Sequence, residues 1–462
     1  MRTLSHSGFG SLLPSCTSIA RRYNRKSRRA RVAYARRVHR WRIATLGAVL
    51  AVATAALFRG RVHPDEIFQY LEPANHLAFG PWIRSWEWEQ GLRNWAVPGA
   101  LGGLLELLSL VGVRHPWALA GVVFMSCAAM QAIGTVALHR LIEERDGGGP
   151  ALLAAIVHAS WGGWLLYAAR PLGDGLSVAA LLPALLFAQR KDGFRCGLLL
   201  GAAFVIRYPS AIFAIPIAVS LAREPRQLLA FLGGGAIVLS GLAALDWLTW
   251  GSPLYSALHY LAFNWYSAAH FGAQPWWWYA PIFAGMAPIL LAWHFLRGLR
   301  RKDLLVGAFA TYLAAFTLIG HKEARFLVPL LPLFVGIAAA PAFADLARLP
   351  RTPVAALYLL TSLAAATVLR PFGLHAEVID ATVEMGRDPS LTAALVAGPQ
   401  MWNTGGRFYF GRSEPLYLNE IDRLSVVSHA LVVQGALPDT ELERAGMKRW
   451  RSRGDAVIWR KR

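Results

Sequence analysis

The chain has 462 residues, 55% hydrophobic and 16% charged, with a formal net charge of +20. A soluble globular chain carries roughly 25% charged residues, so this balance excludes an ordinary soluble enzyme and points to many membrane spans, each near the ~20 apolar residues that cross ~30 Å of hydrocarbon. Three cysteines, Cys16, Cys127 and Cys196, lack CxxC or ligand spacing, so neither a disulfide framework nor a zinc site is indicated.

Arg21 to Arg42 holds eleven Lys/Arg and no acid, just before the first apolar run. Such a segment reads as a cytoplasmic anchor under the positive-inside rule, attracted to anionic membrane lipid. Nucleic-acid binding would need a fold signature that does not accompany it. The first apolar stretch, Ile43 to Phe58, lacks a clean small-residue cleavage site after it and reads as a retained span. A polar, aromatic segment from Arg61 to Trp95 follows, then a short apolar run, Pro98 to Gly112, expected to be re-entrant or interfacial. Clearer spans are Trp117–Leu138, Pro150–Ala168, Leu176–Ala188, Leu228–Trp250, Trp277–Phe295, Leu304–Ile319, Phe326–Phe343 and Pro353–Leu369. Arg207-Tyr208-Pro209 interrupts Cys196–Leu221, which predicts two half-helices facing a cavity rather than lipid.

Short basic connections (Arg190-Lys191, Arg223–Arg226, Arg297–Lys302, Arg348–Arg351) alternate with the spans if all face the cytoplasm with the N-terminus. Four segments then share the outer face: Arg61–Trp95, Arg170–Gly175, Gly251–Trp276 and Gly320–Arg325. The less apolar tail, with alternating runs at Leu424–Val433 and Ala456–Trp459, emerges there and reads as a small soluble α/β domain. The expectation is an all-α polytopic membrane protein of about 9–11 transmembrane helices, some re-entrant or broken. Its parts are a basic cytoplasmic tail (1–42), a multi-span membrane domain (43–370) with an outer-face loop at 60–97, and an extracytoplasmic soluble α/β domain (371–462).

The outer segments hold the informative polar residues. Asp65 and Glu66 follow the first span closely; a carboxylate there can act as a general base, or the pair can form a helix's first turn behind Pro64. Trp86-Glu87-Trp88 and Arg93 lie in a Trp-rich stretch that reads either as an interfacial belt or as a sugar platform. His321-Lys322-Glu323-Ala324-Arg325 sits between two apolar spans. So much charge is expensive there unless paired or bound to an anion, and a phosphate suits Arg and Lys; a snorkelling, mutually paired turn is the alternative. Arg207, within a span, is a functional candidate by position, and Arg170 and Asp174 are weaker signals.

These motifs resemble those of the Alg/GPI mannosyltransferase family, glycosyltransferase family 22 of the GT-C superfamily, nearest its GPI-anchor members. The matching residues are His63-Pro64-Asp65-Glu66, Gln69-Tyr70-Leu71-Glu72, Ser85-Trp86-Glu87-Trp88, Gly91-Leu92-Arg93-Asn94, and His321-Lys322-Glu323-Ala324-Arg325-Phe326 through Pro329 and Pro332. The likeness runs over residues 58 to 345. It departs after the third span, where the family's Arg-x-x-x-Asn is Arg170 with Asp174 and Ser177. The basic tail and the C-terminal domain fall outside it. An Ala/Arg/Leu-rich chain reads as bacterial, which implies an inner-membrane protein with its site on the outer face; a eukaryotic version would sit in the endoplasmic reticulum with a luminal site.

The resemblance implies a GT-C fold and inverting transfer of mannose from a polyprenyl-phosphate-mannose donor to a glycan or glycolipid hydroxyl. It assigns Asp65 as base with Glu66 as helper or alternate. His321, Lys322 and Arg325, with Arg207, would bind the donor phosphate. Glu323, Arg170 and Asp174 would support them, and Trp86, Glu87, Trp88 and Arg93 would shape the acceptor side. Expected partners are the lipid-phosphate sugar, the acceptor and membrane lipids, with no cofactor or metal and no nucleic acid. The alternatives are a GT-C transferase for another lipid-phosphate sugar, a lipid or sugar transporter, and a non-catalytic membrane scaffold.

Overall fold

The computed structural model describes residues 38–266, 272–369 and 375–461. Most of the basic tail therefore lies outside the described residues. Among the described residues the first helix, α1, runs Val38–Leu57, so it takes in Arg40 and Arg42 ahead of the expected Ile43, with Arg40 3.9 Å from Glu143. Among the described residues four helices are long and apolar enough to cross a membrane, or up to six if two bent pairs each form one span.

A π-helical stretch, Glu66–Leu71, leads into α2 (Glu72–Phe79), then α3 (Trp86–Glu89) and α4 (Ala96–Leu110). α4 packs on α2. Its 15 residues cover about 22 Å at ~1.5 Å each, less than a bilayer core needs.

α5 (Pro116–Asp146), α6 (Gly148–Ser160) and α7 (Gly162–Ala168) follow. The expected continuous span Pro150–Ala168 is instead bent by 62° between α6 and α7. Trp161 at the bend is extended in ψ (122°), and beside it Gly162 lets the backbone at Ser362 approach: a Cβ there would meet the Ser362 carbonyl oxygen at 2.1 Å. Next come α8 (Gly173–Leu176), α9 (Val178–Gln189), α10 (Gly193–Ile206) and α11 (Ala214–Leu221). The predicted interruption is present: Arg207 is extended (φ −148°, ψ 107°) and a 3₁₀ turn, Tyr208–Phe213, separates the half-helices.

α12 (Pro225–Trp250), α13 (Tyr255–Tyr266), α14 (Tyr279–Met286), α15 (Ala292–Gly298), α16 (Leu304–Leu318), α17 (Leu330–Leu346) and α18 (Arg351–Leu369) complete the helical body. The expected span Trp277–Phe295 is also broken, by 106°. Pro288 disfavours helical backbone in the residue before it, and Ala287 is accordingly extended (ψ 155°).

α10 lies along α12 through small residues. A Cβ on Gly193 would meet the Gln227 carbonyl oxygen at 1.9 Å, and one on Gly197 the Phe231 oxygen at 2.0 Å. Such spacing lets helix backbones touch within a membrane. Gly197→Val must push the helices apart, costing about 1–3 kcal/mol or more by overpacking. The expected result is a lower yield of folded protein and a lower Tm in detergent, against an unchanged Gly233→Ala control, whose Cβ would meet nothing within 4 Å.

The C-terminal unit comprises α19 (Ala376–Gly386), β1 (Ala394–Ala397), α20 (Gly406–Phe410), β2 (Leu416–Leu418), β3 (His429–Val433), α21 (Asp439–Arg444), β4 (Met447–Arg453) and β5 (Ala456–Lys461). Its sheet runs β2-β1-β3-β5-β4, with β1 parallel to both neighbours and β5 antiparallel to β3 and β4. The α/β reading holds, but the run Leu424–Val433 is strand only from His429; Leu424 lies in a 3₁₀ turn, Ile421–Ser425.

This unit is joined to the helical body. The buried Glu72 carboxylate accepts the N–H groups of Ile83 (2.6 Å) and Phe408 (2.7 Å). Gly406 (φ +62°) sits so close that a Cβ would lie 2.4 Å from Glu72 Oε1. Arg61 donates to Asn403 Oδ1 at 2.5 Å. Phe408 and Tyr409 enter the same apolar core as the membrane helices.

Candidate active site

At the end of the bundle where these parts meet lies a cavity of about 300 Å³. Its floor is the His63–Gln69 segment. Pro64 starts the turn, with the Ile67 N–H on its carbonyl at 3.0 Å, and the π-helix that follows fixes which side chain points where. Asp65 and Gln69, four residues apart, face the same way, and Gln69 Nε2 donates both to Asp65 and, at 2.7 Å, to Glu87. Glu66 turns to the opposite side, where it accepts the Val62 N–H (2.7 Å) and faces Arg170 at 3.6 Å.

The wall opposite is the loop before α17. Arg325 donates its Nη1 to Asp65, while its Nε and Nη2 bind Glu323 at 2.5 and 3.1 Å. Glu323 also meets His321 Nε2 at 2.9 Å and His63 Nε2 at 3.1 Å, and His63 Nδ1 is 3.1 Å from Asp65. Arg207, at the break between α10 and its 3₁₀ turn, pairs with Asp174 at 2.9 Å, and Asp174 is 3.7 Å from Arg325. Asp174 is fully buried and lacks a well-directed hydrogen bond, so charge alone holds it there. Arg93 closes the ring on Glu87 at 3.0 Å.

The electrostatics follow. Burial raises the Asp65 carboxyl, but Arg325 and His63 outweigh it and hold the group below the usual carboxylate range. Glu323 behaves likewise: burial is overcome by Arg325 and the two histidines. The Glu323 hydrogen bond raises the His321 imidazole. Burial raises Glu87, and Arg93 offsets this only in part. Every guanidinium of the cavity thus carries a carboxylate, and none stands as a free cation (Arg93, Arg207, Arg325). Among the described residues no three His, Cys, Asp or Glu side chains are grouped to hold a metal ion.

Of the residues singled out in the sequence, Asp65, Trp86, Glu87, Arg93, Arg207, His321, Glu323 and Arg325 line the cavity. Four do not. Glu66 is turned away to Arg170 by the π-helical register. Arg170 is buried behind it, donating to the carbonyls of Gly60 and Phe58, each at 2.7 Å. Lys322 donates to the Ile319 carbonyl and lies 5.8 Å over the Tyr279 ring. Trp88 is fully buried, its Nε1 on the Phe68 carbonyl at 3.1 Å and its ring against Trp95; alternation along one helical turn puts Trp86 in the cavity and Trp88 in the core. Asp174 acts through Arg207 and Arg325.

Tyr260, Phe263 and Asn264 of α13 line it without having been expected, and so do two residues from further along the chain, Met401 and Trp402 of the 3₁₀ turn Met401–Asn403. The latter two belong to the C-terminal unit, and the Arg61–Asn403 and Glu72–Phe408 bonds hold them at the cavity mouth. Trp402 is 40% exposed, its Nε1 on Gln400 at 2.6 Å. No sequence signal pointed to it, because it reaches the cavity by tertiary docking of the C-terminal unit.

The sequence profile of the Alg9-like mannosyltransferase family matches residues 43–379. The chain is similar to GPI mannosyltransferase 3 of Yarrowia lipolytica, 28% identical over 304 residues that make up 62% of this chain and 59% of that protein. It is similar to GPI alpha-1,2-mannosyltransferase 3 of Homo sapiens, 27% identical over 58% of this chain and 51% of that one. The chain thus spans little more than half the length of these relatives. In fold it is similar to ArnT from Cupriavidus metallidurans bound to undecaprenyl phosphate, with a TM-score of 0.61 at 13% identity, over 90% of this chain and 97% of that one. The architecture is the GT-C type, and by its match over most of its length the chain belongs to the Alg9-like mannosyltransferase family.

Proposed function

We propose that the protein transfers mannose from a polyprenyl-phosphate-mannose donor to a hydroxyl of a glycan or glycolipid, with inversion at the anomeric carbon. The observation that carries this reading is the single cavity joining a carboxylate, Asp65, to the cations Arg325 and Arg207 and to an aromatic rim of Trp86 and Trp402. The acceptor oxygen forms its bond to C1 as the bond from C1 to the phosphate oxygen breaks. Asp65 takes the hydroxyl proton, and the lipid phosphate departs with the bonding pair. Arg325, Arg207 and His321 stabilise the charge that develops on it. No step is routed through a metal.

The resting ion pairs give this scheme an order. While Arg325 holds Asp65, the carboxylate is a weak base. A donor phosphate competes for the same guanidinium and draws it from Asp65, whose basicity then rises where it is needed. Donor binding therefore precedes productive acceptor binding. The site faces the non-cytoplasmic side, on the loop-charge argument.

Radiolabel transfer from synthetic polyprenyl-phosphate-mannose, in membranes containing the protein and with chelator present, tests the donor. Labelled glycan or glycolipid is the expected product. Transfer only from a different lipid-phosphate sugar would move the sugar assignment, and no transfer from any would sink the reading. On the acceptor side, Trp402→Ala should raise acceptor KM about 5- to 12-fold, the loss of about 1–1.5 kcal/mol of aromatic packing, with donor KM unchanged. An unchanged acceptor KM would remove Trp402 from the acceptor site.

A further inference from the structure

A second cavity, of about 660 Å³, opens between the C-terminal sheet and the ends of two membrane helices. That volume is within the ~300–1,000 Å³ of ordinary ligand sites. Five arginines line it against three carboxylates. Three of the arginines are already bridged: Arg451 and Arg453 to Glu384, and Arg460 to Asp388. The other two, Arg59 and Arg387, have no carboxylate within 4 Å among the described residues, and Asp380 on the same wall is likewise unbridged. The positive field is felt locally: burial and then the Arg387 charge push the neighbouring His115 imidazole down.

The position is as informative as the charge. Arg59 lies just beyond the last residue of α1, and His115 directly precedes α5. Both are helices long and apolar enough to cross a membrane, so the cleft sits at the hydrocarbon boundary. Trp117 and Trp450 stand in its wall, and Trp450 carries Arg451 and Arg460 over its ring at 4.8 and 5.1 Å. Amphipathic aromatic rings beside guanidinium forks at that depth match a phosphodiester carrying acyl chains.

We infer that this cleft binds the headgroup phosphate of an anionic phospholipid, held by Arg59 and Arg387, and so seats the C-terminal unit on the membrane surface. The inference does not depend on the transfer reaction, since no residue of the cleft lines the transfer cavity.

A photo-crosslinking amino acid in place of Pro389, an exposed wall residue, tests it in the full chain reconstituted in nanodiscs. Position 389 reports the cleft alone, apart from lipid gathered by the basic N-terminal tail. Labelled phosphatidylglycerol should crosslink at least fivefold more than labelled phosphatidylcholine at equal loading. Arg59→Ala with Arg387→Ala should lower the phosphatidylglycerol signal about tenfold. Arg59→Lys with Arg387→Lys should keep most of it, which separates lost charge from lost folding. Equal labelling by both lipids, or an alanine variant that labels like the parent, would overturn the inference. So would displacement of the signal by free glycerol phosphate at the lipid's own concentration, which would mark a site for soluble phosphates instead.

Discussion

Asp65→Asn is expected to lower transfer about 10²- to 10⁴-fold, the usual worth of a positioned general base, while leaving the protein folded. The fold should survive because Arg325 keeps its two contacts to Glu323 and the nearby charge of Asp174. Asparagine cannot take the acceptor proton, so the loss falls on turnover. The control is the neighbouring carboxylate. Glu66→Gln faces Arg170 and the Val62 N–H, away from the cavity, so it should cost stability and leave turnover of the folded fraction within a few-fold of the parent. Initial rates of radiolabel transfer, normalised to folded protein, separate the two. If Glu66→Gln stops transfer and Asp65→Asn does not, the two carboxylates have been assigned the wrong way round.

That contrast marks what a sequence can and cannot convey. Composition and hydropathy pointed to the helical membrane architecture, and the His63–Glu66 and His321–Arg325 motifs lie in both walls of the cavity. Adjacent residues are a different matter. Whether Asp65 or Glu66 faces the cavity depends on a π-helical register, and whether Trp86 or Trp88 does depends on the rotation of a four-residue helix. Neither is encoded in spacing alone. Lys322 shares its motif with Arg325, yet the 3₁₀ turn after Glu323 sends Arg325 inward and leaves Lys322 beside Tyr279.

The breaks at Trp161 and Pro288 escaped notice for a related reason. Hydropathy measures apolar content and is blind to direction, so two bent legs read as one span. Met401 and Trp402 were out of reach because they arrive by tertiary docking from a unit beyond the last span. The fastening of that unit is a buried glutamate, Glu72, whose backbone partner Phe408 is remote in sequence. A motif that looked like part of the catalytic signature, Gln69-Tyr70-Leu71-Glu72, thus divides its labour: Gln69 spans two cavity carboxylates and Glu72 holds the C-terminal unit in place.

The second large effect is expected at Arg325. Replacing it with methionine leaves Asp65, Glu323 and Asp174 without the cation they share. Removing one partner of a buried pair costs about 3–5 kcal/mol, so Tm should fall markedly. In the fraction that folds, the proposed scheme loses a guanidinium at the departing phosphate, and turnover should drop about 10²- to 10³-fold. Arg325→Lys keeps the charge but not the planar fork, so it should restore much of the stability and little of the rate. Lys322→Ala, outside the cavity, should do far less to donor KM than either. A double-mutant cycle then tests the pair directly. Because Asp65 and Arg325 are in contact, Asp65→Asn combined with Arg325→Met should be less destabilising than the sum of the two by about 1–3 kcal/mol, since the double variant strands one fewer charge. Strict additivity would mean that Arg325 is held by Glu323 and Asp174 alone; donor binding would then have no Asp65 contact to release, and the proposed order of substrate binding would fall with it.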